Sequence, residues 1–211
     1  MLVRPGFLQR NLNIGCGEIV IEIVPYKNSW PAEFQHIATK LRQGLGTLAL
    51  RIDHIGSTSV PGLASKDIID IQVTVADLSQ EVNHLLLVLG LIQVKNVHAD
   101  HHPPQAPNAD TGADAEWEKW LFEPPPMQRK SHIHVRRQGR ANQRYPLLFR
   151  DYLRLHPATA QAYAELKRRL AVNLADPRTY PDVKDPAVDL IYLAAEEWAA
   201  GIHWQPDPSD G

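Results

Sequence analysis

The chain has 211 residues, with 22 lysines and arginines against 24 aspartates and glutamates, which leaves a formal charge of −2 at pH 7. This balance excludes a broadly basic protein that coats duplex DNA by bulk charge, and nucleic acid is not an expected partner. The one cysteine, Cys16, excludes an intramolecular disulfide and a Cys-x-x-Cys metal site. A chain of this length buries roughly 70% of its unfolded surface, so it needs no such crosslink to fold.

No run of about 18 apolar residues occurs, so the sequence predicts neither a membrane-spanning helix nor a membrane partner. The first 16 residues lack the apolar core and cleavage site of a secretory signal, and a cytoplasmic protein is therefore expected. We divide the chain into an N-terminal tail (1–16), a single domain (17–201) and a polar C-terminal tail (202–211). The sequence leaves the oligomeric state open.

Strands and helices alternate in the first half of the chain. Clusters of β-branched and apolar residues predict strands at 17–26, 48–55, 68–75 and 91–94. A helix is expected to begin near Ser29-Trp30-Pro31 and to end at Gly44 and Gly46, and a second one covers about 79–89. The strand at 68–75 is almost continuously apolar, which is typical of a strand covered on both faces.

The second half begins with a loop and two strands and then becomes helical. Residues 98–114 are rich in proline and histidine and predict a loop, while 117–122 and 131–137 alternate as strands. From Tyr145 onward the apolar spacing is helical in three stretches, the second of which follows Pro157. This order predicts an α+β fold in which a mixed β-sheet is flanked by helices and followed by a helical C-terminal part.

The segment from Arg51 to Val73 carries the clearest chemical signal. A strand leads into Gly56-Ser57-Thr58-Ser59, where glycine permits close backbone approach and successive hydroxyl and N–H groups can face an anion such as phosphate. The next strand carries Asp70 and Gln72, two positions apart and so on one face. A carboxylate within an apolar strand is costly unless it is paired or binds a cation. The alternative is a capped loop in which Asp70 is a structural hydrogen-bonding group.

His132 and His134 also lie two apart on a predicted strand and share a face. If that strand lies beside the one carrying Asp70, the three side chains can form a single-metal site for Zn²⁺ or another transition metal. The alternative is one packed histidine and one solvated histidine.

Three cations are candidates for binding a phosphate. Lys66 precedes Asp70 by four residues and lies within reach of a ligand held by the Gly56-Ser57 loop. Arg150 and Arg154 can present donors from one face of a helix, because arginine suits bidentate recognition of phosphate. For Arg150 the alternative is a salt bridge to Asp151 or Glu165.

The sequence resembles the GrpB family, a group of small proteins assigned to the nucleotidyltransferase superfamily. The resemblance covers about 18–198 and rests on Val24-Pro25-Tyr26, Trp30, Phe34, 54–63, Lys66, Asp70-Ile71, 132–135, 149–154, His156-Pro157, Tyr163, Leu166-Lys167, Tyr180 and Lys184. It implies a nucleotidyltransferase-like sheet in which a Gly-Ser pair holds phosphates and an Asp-x-Asp/Glu pair binds Mg²⁺. Gln72 stands where the second carboxylate is expected, and it supplies an oxygen without charge.

The resemblance implies an enzyme acting on a nucleotide or another phosphorylated or activated small molecule. In this hypothesis Gly56, Ser57, Thr58 and Ser59 hold phosphate with Arg150 and Arg154, while Lys66 and Asp70 are catalytic. A divalent metal, Mg²⁺ or Mn²⁺ first, is held by Asp70 with Gln72, His132 and His134, and a transition metal is the other choice. The alternative is a non-catalytic nucleotide- or metabolite-binding module that retains the fold and has lost the metal pair.

Overall fold

A computed structural model describes residues 20–103 and 114–211 of the chain. It contains one five-stranded mixed sheet in the order β1-β2-β5-β4-β3, in which β2 and β5 are parallel and the other neighbours antiparallel. The strands are β1 (Arg51–Ile55), β2 (Ile69–Val75), β3 (Ile92–Gln93), β4 (Trp120–Glu123) and β5 (Ser131–Arg137). The mixed sheet predicted from the sequence is confirmed.

Helices precede, interrupt and follow the sheet. They are α1 (Trp30–Leu45), α2 (Gln80–Val88), α3 (Asp114–Trp117), α4 (Ala141–Leu155), α5 (Pro157–Asn173) and α6 (Tyr180–Ile202). The helical C-terminal part is therefore also confirmed, and α4 begins four residues before the predicted Tyr145. None of the helices in the described ranges is both long enough and apolar enough to cross a membrane.

One apolar core lies between the sheet and the first two helices. Alternation along β2 and β5 places Ile71, Val73 and Ile133 on the face that meets Trp30 and Phe34 of α1. All five side chains are at most 2% exposed. The opposite face of the same two strands carries the polar residues Asp70, Gln72, His132 and His134, and six of the seven residues of β2 are buried, so this strand is covered on both faces as predicted.

A second apolar core joins the three C-terminal helices to the segment that follows β1. Leu63 and Ala64 of that segment pack with Leu148 of α4, Tyr163 of α5 and Ala195 of α6. This packing fixes α5 and α6 above the polar face of the sheet. The second core therefore determines which helical side chains can reach the 56–70 segment.

Three sequence predictions need correction. In 17–26, the described residues 20–26 form no strand and make only an isolated bridge between Val24 and Ser65, while 17–19 lie outside the described residues. The strand predicted from 48 begins at Arg51, because a 3-10 helix covers Gly46–Leu48. The strand predicted at 117–122 begins at Trp120, because Trp117 ends α3. The predicted loop at 98–114 lies in part, and the tail at 1–16 wholly, outside the described residues.

The predicted C-terminal tail is packed along the open edge of β1. The Ser209 hydroxyl accepts a hydrogen bond from the Ile52 N–H (2.9 Å), and the Gly211 N–H donates to the Ile52 carbonyl (3.0 Å). The Asp210 carboxylate accepts from the His54 N–H at 3.0 Å. The polar groups of this tail thus satisfy backbone groups that an edge strand leaves unpaired.

Candidate functional site

A cavity of about 290 Å³ lies where the polar face of the sheet meets the C-terminal helices. Two groups of side chains from distant parts of the chain line it. We call Ser57, Lys66, Lys167 and Lys184 the lysine side of the cavity, and Asp70, Asp100, His134 and Arg136 its sheet side. Aromatic rings complete the wall, from Tyr145, Phe149, Tyr163 and Tyr180.

Gly56 is the point at which the two sides approach each other. Its φ is +68°, a conformation that favours glycine, and a Cβ at this position would lie 2.5 Å from Asp70 Oδ2. Gly56 and Ser57 line the cavity as the sequence suggested. Thr58 and Ser59 are buried beneath it, where Thr58 Oγ1 lies 3.0 Å from His54 Nε2 and the Ser59 hydroxyl donates to the Gly56 carbonyl at 2.6 Å. These two hydroxyls stabilise the loop and do not line the cavity.

Lys167 of α5 is the most deeply placed cation on the lysine side. It is 3% exposed, its Nζ donates to Ser57 Oγ at 2.8 Å, and it lies 4.6 Å from the centre of the Tyr163 ring. Among the described residues no carboxylate lies within 4.0 Å of this Nζ. Burial, followed by repulsion from Lys184, lowers the pKa of Lys167 to about 7.

Lys66 and Lys184 complete the lysine side. Lys66 Nζ lies 5.3 Å from the centre of the Tyr180 ring. Lys184 Nζ lies 3.4 Å from Asp185 Oδ1, and burial lowers the pKa of this lysine although Asp185 raises it. Residue-based reasoning missed Lys167 and Lys184 as site residues, since a lysine within a helical pattern is ordinarily a solvated one. Their presence among the family-like positions was the only available signal.

Asp70 connects the cavity to the two histidines of β5. His132 Nδ1 lies 3.1 Å, and His134 Nε2 3.7 Å, from Asp70 Oδ1. Register places Asp70 directly opposite His132, because β2 and β5 are parallel neighbours. Burial raises the pKa of Asp70, but the hydrogen bonds and charges of the two histidines outweigh it and hold that pKa well below its usual range.

The remainder of the sheet side is a paired network. The Asp100 carboxylate accepts from Lys119 Nζ (2.6 Å) and from Arg136 Nε (2.8 Å), and these partners hold the pKa of Asp100 far below its usual range against the opposing effect of burial. Burial, together with Arg136 and Lys119, lowers the pKa of His134 to about 4 against the opposing effect of Asp70, so its ring is neutral at pH 7. The two carboxylates of the sheet side, Asp70 and Asp100, therefore balance the two cations Lys119 and Arg136 within the protein.

Gln72 does not reach the Asp70 cluster as an oxygen ligand. Its side chain is fully buried, its Oε1 accepts from Arg136 Nη1 at 2.9 Å, and its Nε2 donates to the Gln143 carbonyl at 2.9 Å. One end of the amide thus binds β5 and the other binds α4, so the side chain links the helix to the sheet. The expected coordination of a metal by Gln72 is replaced by this structural role.

The other three proposed ligands do converge. One ligand atom from each of Asp70, His132 and His134 lies within 4.8 Å of the others. One carboxylate oxygen and two imidazole nitrogens suit Zn²⁺ or a similar transition metal better than Mg²⁺, which prefers oxygen ligands. His134 fits less well than the others, because its Nδ1 lies 3.5 Å from both Lys119 Nζ and Arg136 Nη2. These groups only donate, so Nδ1 accepts and the proton lies on Nε2, the atom that faces Asp70.

Arg150 and Arg154 do not line the cavity. Arg150 is 1% exposed, and its guanidinium donates to Asp151 (2.7 Å), to the His54 carbonyl (3.1 Å) and to Asp210 (2.7 Å). Arg154 Nε donates to the Ser59 carbonyl at 3.0 Å. The expectation that they contact phosphate is replaced by a structural role, in which both arginines support the 54–59 segment from behind. The salt bridge from Arg150 to Asp151 was the sequence alternative.

Comparison with known proteins identifies relatives over most of the chain. A protein from Mycolicibacterium paratuberculosis named "Dephospho-CoA kinase" is 34% identical over 197 residues, covering 88% of this chain and 48% of that protein. The UPF0157 protein YqkA of Bacillus subtilis is 31% identical over 182 residues, covering 86% and 49% respectively. The chain thus spans about half the length of these curated relatives.

A solved structure and a family profile agree on the same region. The crystal structure of the conserved protein GrpB from Enterococcus faecalis is 28% identical, with a TM-score of 0.60, and it covers 84% of this chain and 99% of that one. The profile described as GrpB protein matches residues 20–193, which include every residue of the cavity named above. The chain therefore belongs to the GrpB family.

Proposed function

We propose that the cavity binds the phosphate groups of a nucleotide or of another phosphorylated small molecule. The observation that carries this proposal is Lys167, a buried lysine that hydrogen-bonds Ser57 and has no carboxylate within 4.0 Å among the described residues. An unpaired cation is expensive to bury, and an anion at the same place offsets that cost. Lys66, Lys184 and the backbone of Gly56 line the same space and add to the attraction.

Isothermal titration calorimetry with ATP, inorganic pyrophosphate and dephospho-CoA tests this proposal, each probe being measured with EDTA and with Mg²⁺. Dephospho-CoA is included because relatives that share about half their length with this chain carry the name dephospho-CoA kinase. At least one probe should bind. Lys167→Met should weaken its binding by roughly tenfold to a hundredfold, since hydrogen bonds from a charged group contribute about 1.5–3 kcal/mol.

Lys95→Met is the matched control, because Lys95 is exposed and does not line the cavity. Its binding should equal that of the unaltered protein. Absence of binding for all three probes, in a protein whose melting curve shows it to be folded, would contradict the proposal. An equal loss in Lys95→Met and Lys167→Met would assign the effect to bulk charge and contradict the site.

Transfer of a phosphoryl or nucleotidyl group is the finer proposal for the same site. Here Ser57, Lys66 and Lys167 would hold and neutralise the phosphates, and positioning with charge neutralisation would supply the rate enhancement. A divalent metal held by Asp70 would add charge neutralisation at the reacting phosphate. The single carboxylate in the Asp70 cluster favours binding over transfer, and a non-catalytic binding module remains the alternative.

Asp70→Asn separates the two, because asparagine keeps the size and one acceptor oxygen but not the charge. In a transferase, this variant should lose turnover of the bound nucleotide, followed by ³¹P NMR, while retaining binding. A binding module should give no turnover in either protein. Retained turnover in Asp70→Asn would exclude the catalytic role of Asp70.

A transition-metal site at Asp70, His132 and His134 is a second candidate, favoured by the convergence of one oxygen and two nitrogen atoms. Zn²⁺ titrated into the metal-free protein should bind with a stoichiometry of one. His132→Ala should abolish that binding, whereas replacing His36, an exposed residue on α1, should not. Unchanged Zn²⁺ affinity in His132→Ala would exclude this site.

A further inference from the structure

The charged residues that line the cavity do not balance. Four are cations, Lys66, Arg136, Lys167 and Lys184, and two are carboxylates, Asp70 and Asp100. His134 is neutral at pH 7, so the lining carries two net positive charges when every lysine is protonated and one when a single lysine is not. The number of protons on the lysines thus sets the charge that a ligand must bring.

Lys167 is the lysine whose surroundings favour loss of its proton. Lys184 has Asp185 at 3.4 Å and Lys66 is only partly buried, whereas Lys167 is 3% exposed and has the neutral hydroxyl of Ser57 as its hydrogen-bond partner. The groups that act on it from each neighbouring element are Lys184 of α6, Arg168 and Tyr163 of α5, Lys66 and Ser57 of the segment after β1, and Asp70 of β2. Asp70 is the one anion of that set.

We propose that the group bound in the cavity is a terminal, doubly charged phosphate, and that Lys167 takes up one proton when this group binds. The inference rests on the proposed phosphate-binding function and names the class of phosphate. A dianion neutralises a lining that carries two positive charges, which requires protonated Lys167. A phosphodiester, with one negative charge, matches the lining with neutral Lys167 and needs no proton.

The Ser57–Lys167 pair supplies the structural reason for this coupling. When Lys167 is neutral, its lone pair accepts the Ser57 O–H, and that hydrogen is not available to a ligand. When Lys167 is protonated, its N–H donates to Ser57 Oγ across the same 2.8 Å, and the hydroxyl hydrogen, no longer bound to Lys167, can donate to a phosphate oxygen. One proton therefore adds a positive charge and also turns a serine donor towards the ligand.

Two probes of fixed charge test the inference. Inorganic sulfate is a dianion and methyl sulfate a monoanion throughout pH 6.5–9, so a pH dependence of their binding arises in the protein. Calorimetric titrations across this range should show the sulfate affinity falling by up to about tenfold per pH unit above pH 7, and the methyl sulfate affinity almost unchanged. ATP, titrated in parallel, reports the proposed function itself.

Three variants locate the proton. Lys167→Met should bind sulfate more weakly and without the pH dependence, while Ser57→Ala should bind more weakly and keep it, because the lysine still titrates. Lys95→Met, outside the cavity, should match the unaltered protein. Circular dichroism melting of each variant establishes that it is folded.

The outcomes distinguish this inference from the proposed function. Binding of ATP and sulfate with a flat pH profile overturns the proton coupling and leaves phosphate binding in place. Methyl sulfate binding with the same pH dependence as sulfate overturns the assignment of a doubly charged group. Absence of sulfate binding overturns the inference, and absence of binding for ATP, pyrophosphate and dephospho-CoA as well overturns the proposed function.

Discussion

The two sides of the cavity satisfy their charges in opposite ways. On the sheet side, Asp70 has His132 at 3.1 Å, and Asp100 lies between Lys119 and Arg136. On the lysine side, neither Lys66 nor Lys167 has a carboxylate within 4.0 Å among the described residues. The charged groups of the sheet side are paired with other groups of the protein, whereas the lysine side leaves positive charge for a ligand to neutralise.

This difference in charge pairing indicates which side of the cavity binds a ligand and which side maintains the shape of the cavity. A buried network in which every polar group is paired stabilises one arrangement of its side chains. Burying a cation without a carboxylate destabilises the folded protein, and a bound anion offsets that destabilisation. Ligand binding is therefore expected to depend on α5 and α6, and the shape of the cavity on β2 and β5.

The largest effect on stability and on binding is expected for a substitution of Gly56, because this residue lies between the two sides of the cavity. In Gly56→Ala the new Cβ would lie 2.5 Å from Asp70 Oδ2 in a backbone of positive φ, so Asp70 must shift or the loop must open. We expect a loss of about 3 kcal/mol in the free energy of unfolding, measured with urea, and loss of ATP binding.

Gly62→Ala is the matched control. Its φ of +79° is equally unfavourable to alanine, but nothing lies within 4 Å of the added Cβ, so only the cost of about 1–2 kcal/mol for the backbone remains. Equal losses in the two variants would show that Asp70 does not confine Gly56.

The lowered pKa of Lys167 predicts that the stability of the folded protein depends on pH. Its pKa in the folded protein is lowered to about 7 from 10.5, so the unfolded chain binds more protons between those values. The contribution of Lys167 therefore becomes more favourable as the pH rises from 7 towards 10.5. Relative to Lys167→Met, the free energy of unfolding of the unaltered protein should increase by about 2 kcal/mol between pH 7 and pH 9.

Lys95→Met, compared in the same urea titrations, should follow the unaltered protein at both pH values. A constant difference between the unaltered protein and Lys167→Met would mean that Lys167 keeps its proton in the folded state. The lysine side would then be fully charged before any ligand binds.

Residues of the site that are close together in the sequence could be predicted, because their short spacing determines their relative positions. Gly56, Ser57 and Asp70 lie within 15 residues, and alternation alone placed His132 and His134 on one face. Lys167 is 110 residues from Ser57, and its position depends on how α5 docks in the second core. Neither periodicity nor composition predicts such a docking geometry.

Arg150 and Gln72 show why residue type alone misassigned some positions. Both looked suited to a ligand, but each is almost fully buried and makes its hydrogen bonds within the protein. An arginine in a helical pattern or a glutamine in a strand gives no sign of which partner it will meet. The same holds for the polar C-terminal tail, whose composition gives no sign that Asp210 binds the buried Arg150.

The smallest expected effect is a change in anion affinity on substitution of Asp70. It is also of opposite sign, because here the substitution should strengthen binding. Asp70→Asn removes a negative charge from the sheet side and keeps an oxygen to accept from His132, so the cavity becomes more positive without a change of shape. In buffer with EDTA, calorimetry should show sulfate affinity rising by about threefold, the size expected for one partly screened charge. Asp77→Asn, an exposed change just beyond β2, should leave the affinity unaltered. A loss of sulfate affinity in Asp70→Asn would mean that Asp70 itself helps to hold the anion, and the distinction between a self-sufficient sheet side and a binding lysine side would not stand.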